Sequence, residues 1–96
     1  MSERIRVVAV DDHPLFRAGV VQAIQLDDAI NVVAEGSSGS EAVELVKKHR
    51  PDLVLLDIMM PGGDGIEAAA AISDCAPSTR ILMLTVSWLL FRRRSG

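Results

Sequence analysis

A chain of 96 residues, 49% apolar and 24% charged, has room for one globular domain built on one core. Its net charge of −3 is too small to draw the whole molecule to nucleic acid or to anionic lipid. The single cysteine, Cys75, excludes an internal disulfide framework and suits a reducing cytoplasm.

The start, MSERIRVVAV, lacks the apolar stretch and small-residue cleavage site of a signal peptide. The longest apolar stretch, residues 81–91, is interrupted by Thr85 and Ser87 and is too short to span a bilayer, so a cytoplasmic protein with no membrane role is expected. Aromatic side chains are scarce (Phe16, Trp88 and Phe91, with no Tyr), which predicts an aliphatic core.

Residues 6–10 (RVVAV) form a continuous apolar run without alternation, the pattern of a strand buried on both faces of a parallel sheet. Asp11-Asp12 ends it. Pro14 suits the first turn of a helix, where its missing N–H costs nothing. Phe16, Val20, Ala23 and Ile24 share one face of that helix, Gly19 is expected to allow close packing beside them, and Asp27-Asp28 closes it. A second strand is predicted over 30–34 and a Gly/Ser loop over 36–40. A second helix over 41–49 carries Glu41 at its start and Lys47, Lys48 and His49 at its end, which complements the helix dipole. Pro51 stops it. Residues 52–56 (DLVLL) make a third strand ending on Asp57, and the loop 58–65 is dense in Pro and Gly. A short helix over 66–72 and a fourth strand over 80–85 complete the pattern. Strands alternating with helices of these lengths predict right-handed βαβ units, hence a parallel sheet with helices on both faces.

In such sheets ligands bind beyond the carboxyl ends of the strands. If the first, third and fourth strands are neighbours, Asp11, Asp12, Asp57 and the Thr85 hydroxyl meet at one edge. Carboxylates packed together repel one another unless a cation joins them, and a hard divalent ion such as Mg2+ satisfies them while leaving positions for phosphate oxygens. A third carboxylate beside that ion can act as a nucleophile toward phosphorus.

The blocks VVAVDDHP (7–14), LVLLDIMMPGGDG (53–65) and ILMLT (81–85) resemble the receiver domains of two-component response regulators, in one register and in order. The stretch DDHPLFRAGV is most similar to the NarL/FixJ-type transcription factors. The resemblance implies a flavodoxin-like doubly wound parallel sheet with strand order 2-1-3-4 over residues 1–87. It implies Asp57 as phospho-acceptor, Mg2+ bound by Asp12, by Asp11 through water, by Asp57 and by the backbone carbonyl of Met59, and Thr85 as the switch hydroxyl. Pro61, Gly62 and Gly65 shape the loop. A sensor histidine kinase is the implied donor, homo-oligomers are a possible assembly, and DNA is reached only through an output domain absent from this chain.

The family pattern continues with a fifth strand ending in Lys and a last helix, whereas here the only lysines are Lys47 and Lys48. The expectation is therefore a domain incomplete at its C-terminus with a non-matching tail, residues 88–96. That tail is read as a truncation, a frameshifted end or an appended segment. Its Arg92, Arg93 and Arg94 are too few for nucleic-acid binding and read as solvated. Trp88, Leu89, Leu90 and Phe91 either cover the open sheet edge or form an exposed apolar patch.

Several residues have plainer readings. His13 is expected to cap the first helix rather than bind metal, Asp64 to organise its turn, His49 to be solvated, and Cys75 to be a buried or half-buried apolar side chain. Two rival functions stay open beside the signalling switch: a non-switching fragment or domain-swapped oligomer, and a phosphatase of the haloacid dehalogenase kind. The phosphatase wants a second acid two residues past the nucleophile, where Met59 stands.

Overall fold

The computed structural model describes residues 4–61 and 64–84. Its first apolar run is the central strand: β1 (Ile5–Val10) lies between β2 (Ile30–Gly36) and β3 (Leu53–Asp57), and β4 (Arg80–Leu84) pairs with the far side of β3. Every pairing is parallel and the order is β2-β1-β3-β4, the flavodoxin-like arrangement expected. Val7, Val8, Ala9 and Val10 are all buried, as a strand covered on both faces requires.

The side chains of successive strand residues divide between two unlike faces. On one face, Val8, Val10, Val54 and Leu56 pack with Ala42 and Val46 of α2 (Gly39–His49) and with Ala68 and Ile72 of α3 (Asp64–Cys75) in a closed core. The opposite face meets only α1 (Pro14–Ile24) among the described residues. Phe16, Val20, Ala23 and Ile24 line an apolar cleft there with Leu55, Leu82 and Leu84. That cleft stays open enough to leave Leu82 49% exposed, and Val21 is the one buried residue of α1.

Local chemistry fixes the element ends. Ser38 caps α2 by accepting the Glu41 N–H, while the Glu41 carboxylate accepts the Ser37 N–H and hydroxyl, both at 2.8 Å. These bonds hold the Glu41 carboxyl below its usual range, the backbone N–H contributing most. At the other end Arg50 turns left-handed (φ 45°), and the Arg6 guanidinium donates to the carbonyls of His49 and Arg50. Asp52 lies outside β3 and accepts the Arg6 N–H at 2.8 Å.

The structure corrects several expectations. Helix α2 begins at Gly39, ahead of residue 41, because the Ser38 cap draws Gly39 and Ser40 into the first turn. Helix α3 runs from Asp64 to Cys75, longer than 66–72 at both ends, since Ser73 and Asp74 face solvent and interrupt nothing. Strand β2 runs on to Gly36, with a register shift opposite Val7/Val8. Helix α1 ends at Ile24, before the acidic pair. Gly19 has nothing within 4 Å of where a Cβ would stand, so it permits no close packing. Cys75, at the last position of α3, is exposed rather than buried. The tail 88–96, and with it the fate of Trp88 to Phe91, lies outside the described residues.

Candidate functional site

Backbone register alone gathers the acids. Val10 pairs with Gly36 on one side and Leu56 on the other, so β1 and β3 end level and carry Asp11 and Asp57 to one edge. Asp57 pairs in turn with Leu84, and the Ile58 N–H donates to the Leu84 carbonyl at 3.0 Å. Thr85, the next residue of the chain, lies outside the described residues, as does Gly62.

Asp57 is 1% exposed and Asp11 5% exposed, unusual burial for carboxylates. Asp57 Oδ1 accepts the Met59 N–H at 2.9 Å. Asp11 Oδ1 accepts the His13 N–H at 2.8 Å. One oxygen each from Asp11, Asp12 and Asp57, together with a His13 ring nitrogen, all lie within 4.8 Å of one another. Asp12 Oδ1 is buried with no hydrogen-bond partner, although His13 Nδ1 stands 3.0 Å away, outside bonding alignment. Burial pushes the Asp11 carboxyl up from its ordinary range; the His13 N–H bond opposes that rise and the charge of Asp57 adds to it.

Three of the expected site residues, Asp11, Asp12 and Asp57, are thus brought together. Met59 contributes its N–H to Asp57, and its side chain is 42% exposed, free to vary. Asp64, expected to organise its own turn, opens α3 and directs its carboxylate away from that turn: it accepts the Gly39 N–H and ties the loop after β3 to the start of α2. His13 occupies the N-cap position of α1, but its side chain makes no cap bond and its ring instead faces the acids. The capping role is overturned because a short loop after β1 aims the ring back over the strand ends.

Arg17 was not legible as a site residue. Its guanidinium donates to the carbonyls of Asp11 (2.7 Å) and Gly36 (3.1 Å) and pairs with Glu35 at 3.2 Å, fixing α1 to the ends of β1 and β2. The only sequence signal was its place one helical turn after Pro14.

Gly65 is held to glycine by close approach. A Cβ there would collide with the Asp57 carbonyl oxygen and stand 3.3 Å from the Ile58 Cα. Gly65→Ala is expected to cost about 1–3 kcal/mol, read as a lower urea midpoint. Glu67→Ala, on the exposed side of the same helix, should stay within about 0.5 kcal/mol. Equal midpoints for the two variants would remove the close approach as the reason for glycine.

A four-stranded parallel sheet in this order, with acids drawn together at its carboxyl edge, defines an α/β domain of the receiver class. The family model for the response regulator receiver domain matches residues 7–89, and the chain belongs to that family. Over 83 residues it is 51% identical to the "Probable transcriptional regulatory protein NarL" of Mycobacterium tuberculosis, covering 86% of this chain and 38% of that protein. It therefore spans well under half the length of that relative. Among solved structures it is similar to the signal receiver domain of NarL from Mycobacterium tuberculosis, with TM-score 0.78 and 52% identity over 84% of this chain and 65% of that one. It is also similar to RcsB from Salmonella enterica serovar Typhimurium bound to promoter rprA in the presence of the phosphomimetic BeF3−. That match has TM-score 0.76 and 27% identity, over 84% of this chain and 42% of the other. The chain is a receiver domain of the NarL/LuxR type. Among the described residues no helix is long and apolar enough to cross a membrane.

Proposed function

We propose that this receiver domain accepts a phosphoryl group on Asp57 from a sensor histidine kinase, with Mg2+ held by Asp11, Asp12, Asp57 and the Met59 backbone carbonyl. The observation that carries this is the convergence of Asp11, Asp12 and Asp57 oxygens within 4.8 Å at the carboxyl edge of the sheet. The donor set suits the ion: it is dominated by hard carboxylate oxygens, one of which, on Asp12, is buried without a partner. When bound, Mg2+ supplies positive charge that offsets both the acids and the incoming phosphoryl oxygens.

The chain's own residues do the rest. A carboxylate oxygen of Asp57 attacks phosphorus of the kinase phosphohistidine. The P–N bond breaks, its electron pair returns to the imidazole, and that ring takes up a proton. The Met59 N–H holds one carboxylate oxygen of the acceptor, and Gly65, lacking a Cβ, lets the start of α3 lie against the Asp57 backbone. Thr85 is assigned the switch hydroxyl on the strength of the resemblance and its place one residue beyond Leu84. Residues 1–87 act as the receiver and 88–96 as a separate tail. In the full-length cytoplasmic protein the switch controls transcription through an output domain, a role supported by the RcsB relative seated on promoter DNA with a phosphomimetic.

The test is incubation with acetyl phosphate and Mg2+, followed by intact mass. One added phosphoryl group, lost in Asp57→Asn, is expected. A folded chain that takes up none is the non-switching fragment, and turnover of phosphomonoesters would point to the phosphatase.

A further inference from the structure

The phosphoryl-transfer reading gives Arg17 no task, yet its side chain holds the main chain from which two of the acids hang. The β1–β3 register ends at Val10 and Leu56, so the Asp11 carbonyl lies beyond it. Arg17 Nη1 donates to that carbonyl at 2.7 Å and to the Gly36 carbonyl at 3.1 Å. The Gly36 carbonyl also accepts the Asp11 N–H at 3.1 Å. Both peptide planes flanking the Asp11 Cα are thereby tied to one point at the end of β2. A peptide unit is planar, so holding its oxygen restricts the torsions on either side of it. The plane that carries the Asp11 carbonyl also carries the Asp12 N–H, and the Cβ directions of the two acids are restricted together.

This restraint matters because Asp11, Asp12 and Asp57 repel one another without a cation. A chain free to swing would relieve the repulsion by turning the acids apart, and an arriving ion would have to gather them again. A charge-assisted hydrogen bond to the Asp11 carbonyl opposes that swing. Glu35, 3.2 Å from Arg17 Nε, offsets the positive charge of the guanidinium, which leaves little of it to repel a cation nearby. The Arg17 side chain is 20% exposed and that of Glu35 44% exposed, and an ion pair so placed contributes little stability by itself. What Arg17 adds is its hold on the two carbonyls.

We propose that Arg17 is a positioning residue of the cation site: it clamps the Asp11–Asp12 peptide so that both acids face the ion before it arrives. The proposal rests on the cation site of the preceding subsection and assigns Arg17 no contact with the ion or the phosphoryl group. Its effect falls on Mg2+ affinity, through the ordering of the acids that binding would otherwise require.

The experiment is calorimetric titration with Mg2+ of the wild type, Arg17→Met, Arg17→Lys and Val46→Ala. Arg17→Met keeps an apolar stem beside Val20 and Leu84 and removes every donor. Val46 is fully buried in the α2 core, so Val46→Ala lowers stability away from the acids. The expected result is Mg2+ affinity about tenfold lower in Arg17→Met, the scale on which outer partners of metal ligands act. Arg17→Lys, which keeps a charged donor, should recover part of that loss, and Val46→Ala should bind as the wild type does. NMR of the metal-free wild type needs no substitution: a clamped guanidinium rotates slowly and shows resolved Nη1 protons. A freely rotating guanidinium there overturns the proposal even if Arg17→Met misfolds. Unchanged Mg2+ affinity in Arg17→Met would leave Arg17 a pin for α1 alone, and tighter binding would make it a repelling charge. Either result overturns the clamp and leaves the cation site standing. An equal loss in Val46→Ala would trace the effect to general loosening and overturn it as well. A wild type that binds no Mg2+ overturns both readings.

Discussion

Asp57→Asn is expected to raise the melting temperature of the metal-free chain, and Mg2+ to raise that of the wild type, with the two gains failing to add. The reason is the burial of like charge. Asp57 and Asp11 are 1% and 5% exposed, and the Asp57 charge contributes, after desolvation, to the upward shift of the Asp11 carboxyl. A folded-state pKa above the unfolded one means that the native chain binds more protons. That contribution is complete below the unfolded carboxyl range and is lost as pH rises through the shifted value. At neutral pH the metal-free fold therefore carries an electrostatic load that either amide substitution or a cation removes. A ligand at a hundred times its Kd stabilises by about 2.7 kcal/mol, on the order of 10 °C for a domain this small. Thermal denaturation of wild type and Asp57→Asn, each with and without Mg2+ at neutral and mildly acidic pH, reads all of these. The Mg2+ gain should shrink toward acid and nearly vanish in Asp57→Asn. A full Mg2+ gain in that variant would show that Asp57 is not among the ligands.

Leu56→Ala should cost about 2–5 kcal/mol, against a total of roughly 5–15 kcal/mol for a domain, and so leave the chain at the edge of unfolding. Leu56 is fully buried in the core shared by α2 and α3, immediately before Asp57. Leu82 sits on the other face, 49% exposed over the α1 cleft, and Leu82→Ala should cost within about 0.5 kcal/mol. Urea denaturation of the two variants compares the faces directly. A Leu82→Ala loss as large as that of Leu56→Ala would mean that the cleft is filled in solution.

The strands were the most legible part of the chain because burial on both faces writes itself as uninterrupted apolar runs, VVAV in β1 and LVLL in β3. The acids that end those runs marked the site for the same reason: a charge stands out where the apolar pattern stops. What depends on a partner distant in sequence could not be read. Gly19 looked like a packing residue, yet open space lies beside it. Cys75 looked apolar and buried, yet the last turn of α3 presents it to solvent. His13 was assigned to capping from its position, and that position is right; which way its ring turns depends on the loop, which no residue-by-residue pattern encodes. Arg17 escaped notice because its task is to bind two backbone carbonyls, and carbonyls carry no sequence signature.

The hydrogen bond from the Ile58 N–H to the Leu84 carbonyl extends the β3–β4 ladder one rung past Asp57. The oxygen it uses belongs to the peptide unit that leads into residue 85. Reorienting that unit therefore means letting go of the amide immediately after the acceptor aspartate. Main chain alone, without any side chain as intermediary, couples the two tips of the sheet, and slow or fast solvent exchange of this single amide proton would register which way the tips are set.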